Sequence, residues 1–291
     1  MKNKEKIKFN KNQWKMRSTF AIIKRISPNQ KPGTTKERGY RMKRLAASAL
    51  CLLLVFGAAA CNSAPQLSGK SADEIFSIAR ERTRGLSSYD IQSTITMTQP
   101  EVKGDSSSDR ITVTLKKGTR LVKEQSAVRQ AHLSSSSDIF GENGVINTYY
   151  HNGTRYSDAL GMKIKAAMTN EEILAQATVD LDFLTPAREA FGDLTLKQNG
   201  EDYELSFAPD SKTFEPYIKL LNQITGSEEG DSGTVYTNIS GVLTVNKDGY
   251  FSKLSVTLKN ETDTIQIETV NNNPGAKLTI DMPNANEYQQ Q

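Results

Sequence analysis

Two stretches in the first half of the chain alternate between apolar and polar residues, and they decide the fold class. Residues 91–97 read Ile-Gln-Ser-Thr-Ile-Thr-Met, and residues 111–116 read Ile-Thr-Val-Thr-Leu-Lys. Neighbouring side chains of a β-strand point to opposite faces, so each stretch places its apolar residues on one face and its polar residues on the other. This alternation is typical of an antiparallel sheet with one buried face.

Turn motifs recur between later stretches of the same kind. Asn-Gly begins at residues 143, 152 and 199, and Asp-Gly begins at residue 248. These pairs tolerate the positive φ angles of type I′ turns, so they predict β-hairpins. Leu278, Ile280 and Met282 alternate again and predict a last strand that ends at Pro283. Residues 134–137, four serines, fit a strand edge or a loop equally well.

Helical spacing opens the domain and then interrupts the strand pattern twice. Residues 71–74 and 169–172 are capping boxes of the Ser/Thr-x-x-Glu type, and apolar residues three or four positions apart follow each of them. Phe183, Leu184, Ala187 and Phe191 are predicted to continue as a second short helix, which is broken near Pro186 and ends at Gly192. A further helix is predicted from Phe214 to Ile224, with Pro216 tolerated in its first turn. This order of elements predicts one α+β domain over residues 71–291.

Residues 42–60 have the features of a lipoprotein signal peptide. Two basic residues precede an apolar run from Leu45 to Phe56, which is shorter than the roughly 20 residues that span a bilayer. Ala59-Ala60-Cys61 resembles the bacterial lipobox, although Ala58 stands where Leu is usual. The resemblance implies cleavage before Cys61, diacylglycerol with acyl chains such as palmitate on that thiol, and a short flexible tether over residues 61–70. An uncleaved membrane anchor is the alternative.

Residues 1–41 form a basic extension in front of Met42. One interpretation is that translation starts at Met42 and the extension is a mis-assigned start. The other is an arm that binds nucleic acid or a membrane surface, as basic runs can do. The first interpretation is favoured, because a signal peptide acts near the N-terminus of the nascent chain.

Charge divides the 291-residue chain into two unlike parts. Residues 1–60 contain 15 Lys and Arg against two Asp and Glu, whereas residues 61–291 contain 22 against 31. The main domain therefore lacks the basic face that nucleic-acid binding needs. Both cysteines, Cys51 and Cys61, precede it, which excludes a disulfide scaffold or a cysteine-rich zinc site within the domain.

Catalytic and metal-binding motifs are not found in the sequence. It contains no Gly-x-Ser-x-Gly, His-Glu-x-x-His or P-loop pattern. His132 and His151 have no second ligand at metal-binding spacing. We therefore expect no catalytic residue, no metal and no cofactor, with an unrecognised hydrolase as the weakest hypothesis. Tyr149, Tyr150 and Tyr156 are interpreted as cross-strand pairs rather than as the mouth of a cavity.

The order of elements resembles the LolA-like fold. That group includes lipoprotein carriers, the LppX/LprG-type lipid-carrying lipoproteins and many uncharacterised lipoproteins of Gram-positive bacteria, which this chain looks most like. Three segments carry the resemblance: the 71–86 helix with Ser88-Tyr89-Asp90 after it, the 149–156 hairpin that runs into 161–165, and the 248–283 meander. The resemblance implies a strongly curved antiparallel sheet, a half-barrel, with helices covering its concave face and acyl chains held in between.

On that interpretation, one apolar stripe would contact the ligand. Its members, all from the two alternating stretches, are Ile91, Ile95, Met97, Ile111, Val113 and Leu115. Plain core packing is the alternative, and it is the commoner role of such stripes. The sequence thus predicts a monomeric, non-catalytic lipoprotein on the extracytoplasmic face of the cell membrane that binds a lipid or other apolar ligand. The alternative function is a structural or interaction lipoprotein with a packed core and no ligand.

Overall fold

A twelve-stranded sheet forms the framework of the computed structural model, which describes residues 64–99, 111–140, 144–225 and 235–291. Its strands lie in the order β12-β6-β5-β4-β3-β2-β1-β11-β10-β9-β8-β7. All neighbours are antiparallel except β12, which pairs in parallel with β6. The strands are β1 Ser88–Gln99, β2 Ile111–Glu124, β3 Ala127–Ser137, β4 Ile146–His151, β5 Thr154–Ala159, β6 Met162–Ala167, β7 Thr195–Asn199, β8 Asp202–Phe207, β9 Asn238–Val245, β10 Phe251–Lys259, β11 Thr264–Asn271 and β12 Gln289–Gln290.

The register of β1 with β2 confirms that the two alternating stretches share one face. Ile95 lies opposite Leu115, and Met97 lies opposite Val113. On the other side of β1, Ile95 lies opposite Ile267 of β11. We call this the inner face, because the helices cover it, and the opposite one the outer face. The serines at 134–137, whose structure the sequence left open, belong to β3.

Three helices cover the inner face: α1 Ala72–Arg84, α2 Asn170–Leu184 and α3 Ser211–Thr225. Both predicted capping boxes form, since Ser71 and Thr169 each exchange hydrogen bonds with the glutamate three residues later. Such caps satisfy backbone N–H groups that the first turn leaves without partners. After α2 ends at Leu184, the predicted short helix is a 3-10 turn, Arg188–Phe191.

Aromatic rings fill the space between α1, α3 and the β8–β10 part of the sheet. The rings of Phe76 and Phe251 lie 5.3 Å apart, and those of Phe183 and Tyr217 lie 4.4 Å apart. The helix α2 instead packs over β1, β2 and β3. The architecture is therefore α+β, with an open, curved antiparallel sheet whose concave side carries the helices, as predicted.

The predicted turns form, but the backbone angles differ among them. Only Asn152-Gly153 has positive φ at both residues, 45° and 85°, as a type I′ turn requires. In the turns at 199–200 and 248–249, only the glycine has positive φ. The sequence missed the turn at Leu160-Gly161, where both φ angles are positive, because leucine gives no turn signal. The predicted turn at Asn143-Gly144 falls partly outside the described residues.

The predicted last strand over Leu278–Met282 is wrong. Residues 277–284 have no regular secondary structure, and this segment crosses the outer face of the sheet instead of joining it. Arg120 of β2 donates to the Thr279 carbonyl (3.2 Å), and farther along, the Tyr288 ring meets Tyr156 of β5 edge-on. The alternation at 278–282 reflects this crossing, in which Ile280 is buried on the sheet.

The start of the described chain is also held in place. Leu67 is buried, and Pro65 lies so close to Gly249 that a Cβ atom there would come within 2.5 Å of the Pro65 Cγ. Pro65 and Leu67, within the 61–70 segment predicted as a flexible tether, therefore pack on the domain. Cys61, the signal peptide and the basic extension lie outside the described residues.

Candidate functional site

The predicted stripe runs from a covered region of the inner face to a less covered one. Ile91 and Ile95 are fully buried, whereas Met97, Val113 and Leu115 are only partly buried. The Ile111 side chain lies outside what the structure describes, although its backbone pairs with Gln99. We call the end of the sheet with the β9–β10 turn (246–250) the tether end, and the end with Met97 and Val113 the distal end.

Helix α2 produces the covered region at the tether end. The Tyr89 hydroxyl on β1 donates to the Ala177 carbonyl in α2 at 3.1 Å. Leu121 of β2, opposite Tyr89, is 0% exposed. Burial raises the pKa of the Tyr89 phenol, and the nearby charges of Asp180 and Asp182 raise it further. Tyr89 is therefore a neutral hydrogen-bond donor that fixes α2 to the sheet.

A polar row, which was not predicted from the sequence, separates the covered region from the distal one. Asp180 of α2 is buried against the sheet, where it accepts a hydrogen bond from the Thr119 hydroxyl. Its other oxygen lies 3.4 Å from the Lys117 Nζ. Beside Lys117, the Ser93 and Thr269 hydroxyls hydrogen-bond each other at 3.0 Å. The row satisfies the buried carboxylate and places polar groups across the middle of an apolar face.

A signal for this row was present in the sequence. In β2 the inward positions are 113, 115, 117, 119 and 121, and Lys117 and Thr119 interrupt their apolar run. Asp180 likewise stands at helical spacing from the buried Ala177 and Leu184. A charged residue of each sign inside facing apolar stripes indicates a buried pair.

Two cavities lie away from the stripe. The first, about 280 Å³, lies between the end of α1, residues 185–190 and α3, and Arg80, Arg84 and Tyr217 are among its lining residues. The second, about 360 Å³, is a polar groove on the outer face of β1–β3, with Gly118 among its lining residues. Neither cavity is lined by Ile91, Ile95, Met97, Val113 or Leu115.

The aromatic residues around the 151–154 hairpin divide between the two faces. Tyr149 pairs across strands with Tyr156 on the outer face, whereas Tyr150 is buried on the inner face. The His132 ring stacks on Tyr149 with centroids 4.2 Å apart, and its Nε2 bonds the Asn147 side chain at 3.0 Å. The cross-strand interpretation is confirmed for Tyr149 and Tyr156.

The described ranges contain neither a metal-binding cluster nor a membrane-spanning helix. Within them, no group of three or more His, Cys, Asp or Glu side chains is placed to hold a metal ion. Among the helices in the same ranges, none is long and apolar enough to cross a membrane.

Comparisons with known proteins return solved structures at low sequence identity. No family model and no curated protein matches the chain. LprF from Mycobacterium bovis is 14% identical, with 73% of this chain and 96% of that chain covered and a TM-score of 0.39. The Mycobacterium tuberculosis lipoprotein LppX is 11% identical, with 72% and 100% covered and a TM-score of 0.37. A LolA superfamily protein from Nitrosomonas europaea is 8% identical, with 69% and 91% covered and a TM-score of 0.23.

Proposed function

We propose that the protein is a non-catalytic lipoprotein that holds a lipid or other apolar ligand at the distal end of its inner face. It would be anchored to the extracytoplasmic face of the cell membrane through diacylglycerol on Cys61. One observation carries the proposal: the apolar stripe continues past the cover of α2, so that Met97, Val113 and Leu115 remain partly exposed on a concave surface. Apolar concave surfaces with a few polar groups are typical of ligand sites.

Further apolar residues extend this surface towards β4 and β6. Ile146 and Met162 occupy inward positions, and Met162 is 66% exposed. The Lys117–Asp180 row lies beside them and would limit how deeply an acyl chain can enter. A ligand would thus be held by burial of apolar area, which contributes roughly 25 cal/mol per Å².

A structural lipoprotein without a ligand is the second candidate. Two observations favour it: Ile91 and Ile95 are completely buried, and neither cavity is lined by the stripe. In that case the distal apolar residues would contact another protein, and the acidic surface of the domain would help to select that protein.

Binding of a dansyl-labelled fatty acid tests the proposal. All described helices and strands lie between residues 72 and 290, so a secreted chain starting at Asn62 retains them. We expect the wild-type chain to enhance the fluorescence of the probe, and Val113→Asp to weaken binding at least tenfold, because a carboxylate would enter the apolar surface.

The matched control is Thr112→Asp. Thr112 precedes Val113 on β2, is exposed and points to the outer face. It should bind the probe as the wild type does. Equal binding by both variants, or none by the wild-type chain together with a native mass spectrum free of co-purified lipid, would contradict the carrier function and favour the second candidate.

A further inference from the structure

The described chain begins at a defined place on the domain. Pro65 packs on Gly249 in the β9–β10 turn, and Leu67, two residues later, is buried. Arg82, near the end of α1, lies at the same turn. A Cβ atom placed on Gly249 would be 3.3 Å from the Arg82 Cδ. The first described residues, this turn and the last turn of α1 thus meet at the tether end of the sheet.

Chain length limits how far Cys61 can lie from this place. Pro65 follows Cys61 by four steps along the chain, with three residues between them. Even fully extended, these steps span at most about 14 Å, since each residue contributes about 3.5 Å. A lipid on Cys61 would therefore bring the tether end, rather than any other part of the domain, within one short segment of the bilayer.

The distal end is farther away than this segment can reach. The strand β10, Phe251–Lys259, runs from the turn at 246–250 to the turn at 260–263. Its eight steps correspond to about 26 Å at roughly 3.3 Å per residue. Met97 pairs with Ile265 next to the second turn, so the stripe is partly exposed at the end opposite the tether.

The end of α1 is basic, with three arginines and one glutamate over residues 80–84, and the acidic Asp248 lies in the turn beside it. Residues 80–84 read Arg-Glu-Arg-Thr-Arg, whereas residues 61–291 as a whole are acidic. Arg82 donates to the Tyr250 hydroxyl (3.2 Å), and Arg84, whose side chain is 44% exposed, pairs with Asp182. Basic residues also stabilise a helix C-terminus, so the charge alone would not indicate a membrane. The independent observation is that Pro65, four steps after Cys61, packs on Gly249 beside Arg82.

We propose that the tether end of the sheet docks on the headgroups of an anionic bilayer, with the α1 arginines towards the lipid, and that the distal end of the inner face opens away from that bilayer. This inference rests on the Cys61 anchor of the proposed function. It adds that a ligand would be exchanged with a partner beyond the membrane surface, and not with the bilayer that holds the anchor.

Two single-cysteine variants, Asp248→Cys and Glu261→Cys, test this orientation. Asp248 and Glu261 are both exposed acidic residues, and they lie in the turns at opposite ends of β10. Residues 62–291 contain no cysteine, so each variant carries one free thiol once the signal peptide, which contains Cys51, is cleaved and Cys61 is lipidated. The full chain is expressed in a lipidating bacterial host, labelled with a fluorophore, and reconstituted into phosphatidylglycerol–phosphatidylcholine vesicles that contain a nickel-chelating lipid as quencher.

We expect the label at residue 248 to be quenched at least threefold more than the label at residue 261. Arg84→Gln, or about 1 M salt, which shortens the Debye length to about 3 Å, should reduce this ratio. Equal quenching, or stronger quenching at residue 261, on protein whose N-terminal peptide carries diacylglycerol would overturn the orientation alone. A chain whose N-terminal peptide lacks the lipid and that does not float with the vesicles would overturn the anchor and the orientation together.

Discussion

The two halves of β1 and β2 have the same alternating pattern but different surroundings. At the tether end, Tyr89 and Leu121 lie under α2 and are buried. At the distal end, Met97 and Val113 face the same side and remain partly exposed. The difference arises from the helix: α2 contacts the sheet through Ala177 and Asp180, and the polar row at Lys117 marks the limit of its cover.

This comparison shows that one stripe can serve two purposes. Its covered half contributes to stability through apolar burial, which is the dominant favourable term in folding. The apolar side chains of its distal half are only partly buried in the core. A ligand or a partner protein can bury the apolar area that remains exposed. Substitutions of the same kind in the two halves should therefore affect stability very differently.

Leucine truncation on β2 gives the largest expected difference. Leu121 and Leu115 are on the same face of the same strand, and only Leu121 is completely buried. Leu121→Ala should lower the free energy of unfolding by about 3–5 kcal/mol, because it leaves a cavity under α2. Leu115→Ala should cost less than half of that. Urea unfolding followed by circular dichroism measures both, and equal losses would show that the distal half is core after all.

Removing the carboxylate of the polar row should have the next largest effect. Asp180→Ala leaves Lys117 and Thr119 without their partner, which should cost about 1–3 kcal/mol; the Lys117 side chain is 20% exposed, so water would lessen the loss. The double variant Lys117→Met, Asp180→Leu should recover most of this stability, because it replaces the pair by apolar groups. If the double variant were as unstable as Asp180→Ala, the polar row would stabilise the fold by more than the pairing of Lys117 with Asp180.

Much of the fold follows from local patterns in the sequence. The capping boxes at Ser71 and Thr169 fix where α1 and α2 begin, and the alternation from Ile91 to Met97 fixes which residues of β1 share a face. These features involve residues close together in the chain. The error at Leu278–Met282 has the opposite cause, because the contact between Thr279 and Arg120 joins residues far apart in the sequence.

The candidate site was less predictable, because burial depends on which element covers a strand. The sequence placed Ile91, Met97 and Val113 in one stripe, and the register confirms the shared face. It could not distinguish the covered members from the partly exposed ones, since that depends on where α2 crosses the sheet. It also missed Asp180, whose partners lie about 60 residues away on β2. Whether the stripe binds a ligand, and whether Cys61 is lipidated, stay predictions.

Two buried tyrosine hydroxyls allow the smallest test of the comparison. Tyr89 donates to Ala177 and so joins α2 to the covered half, whereas the Tyr217 hydroxyl has no hydrogen-bond partner among the described residues. Tyr89→Phe should cost about 1 kcal/mol, the net contribution of one hydrogen bond. Tyr217→Phe should be neutral or slightly stabilising, because it removes a buried polar group that is not paired. Thermal unfolding of the two variants measures this difference. If Tyr89→Phe were as stable as the wild type, the hydrogen bond to Ala177 would not hold α2 on the sheet. Apolar contacts such as those of Leu121 would then be the only ones that keep α2 over the tether-end half.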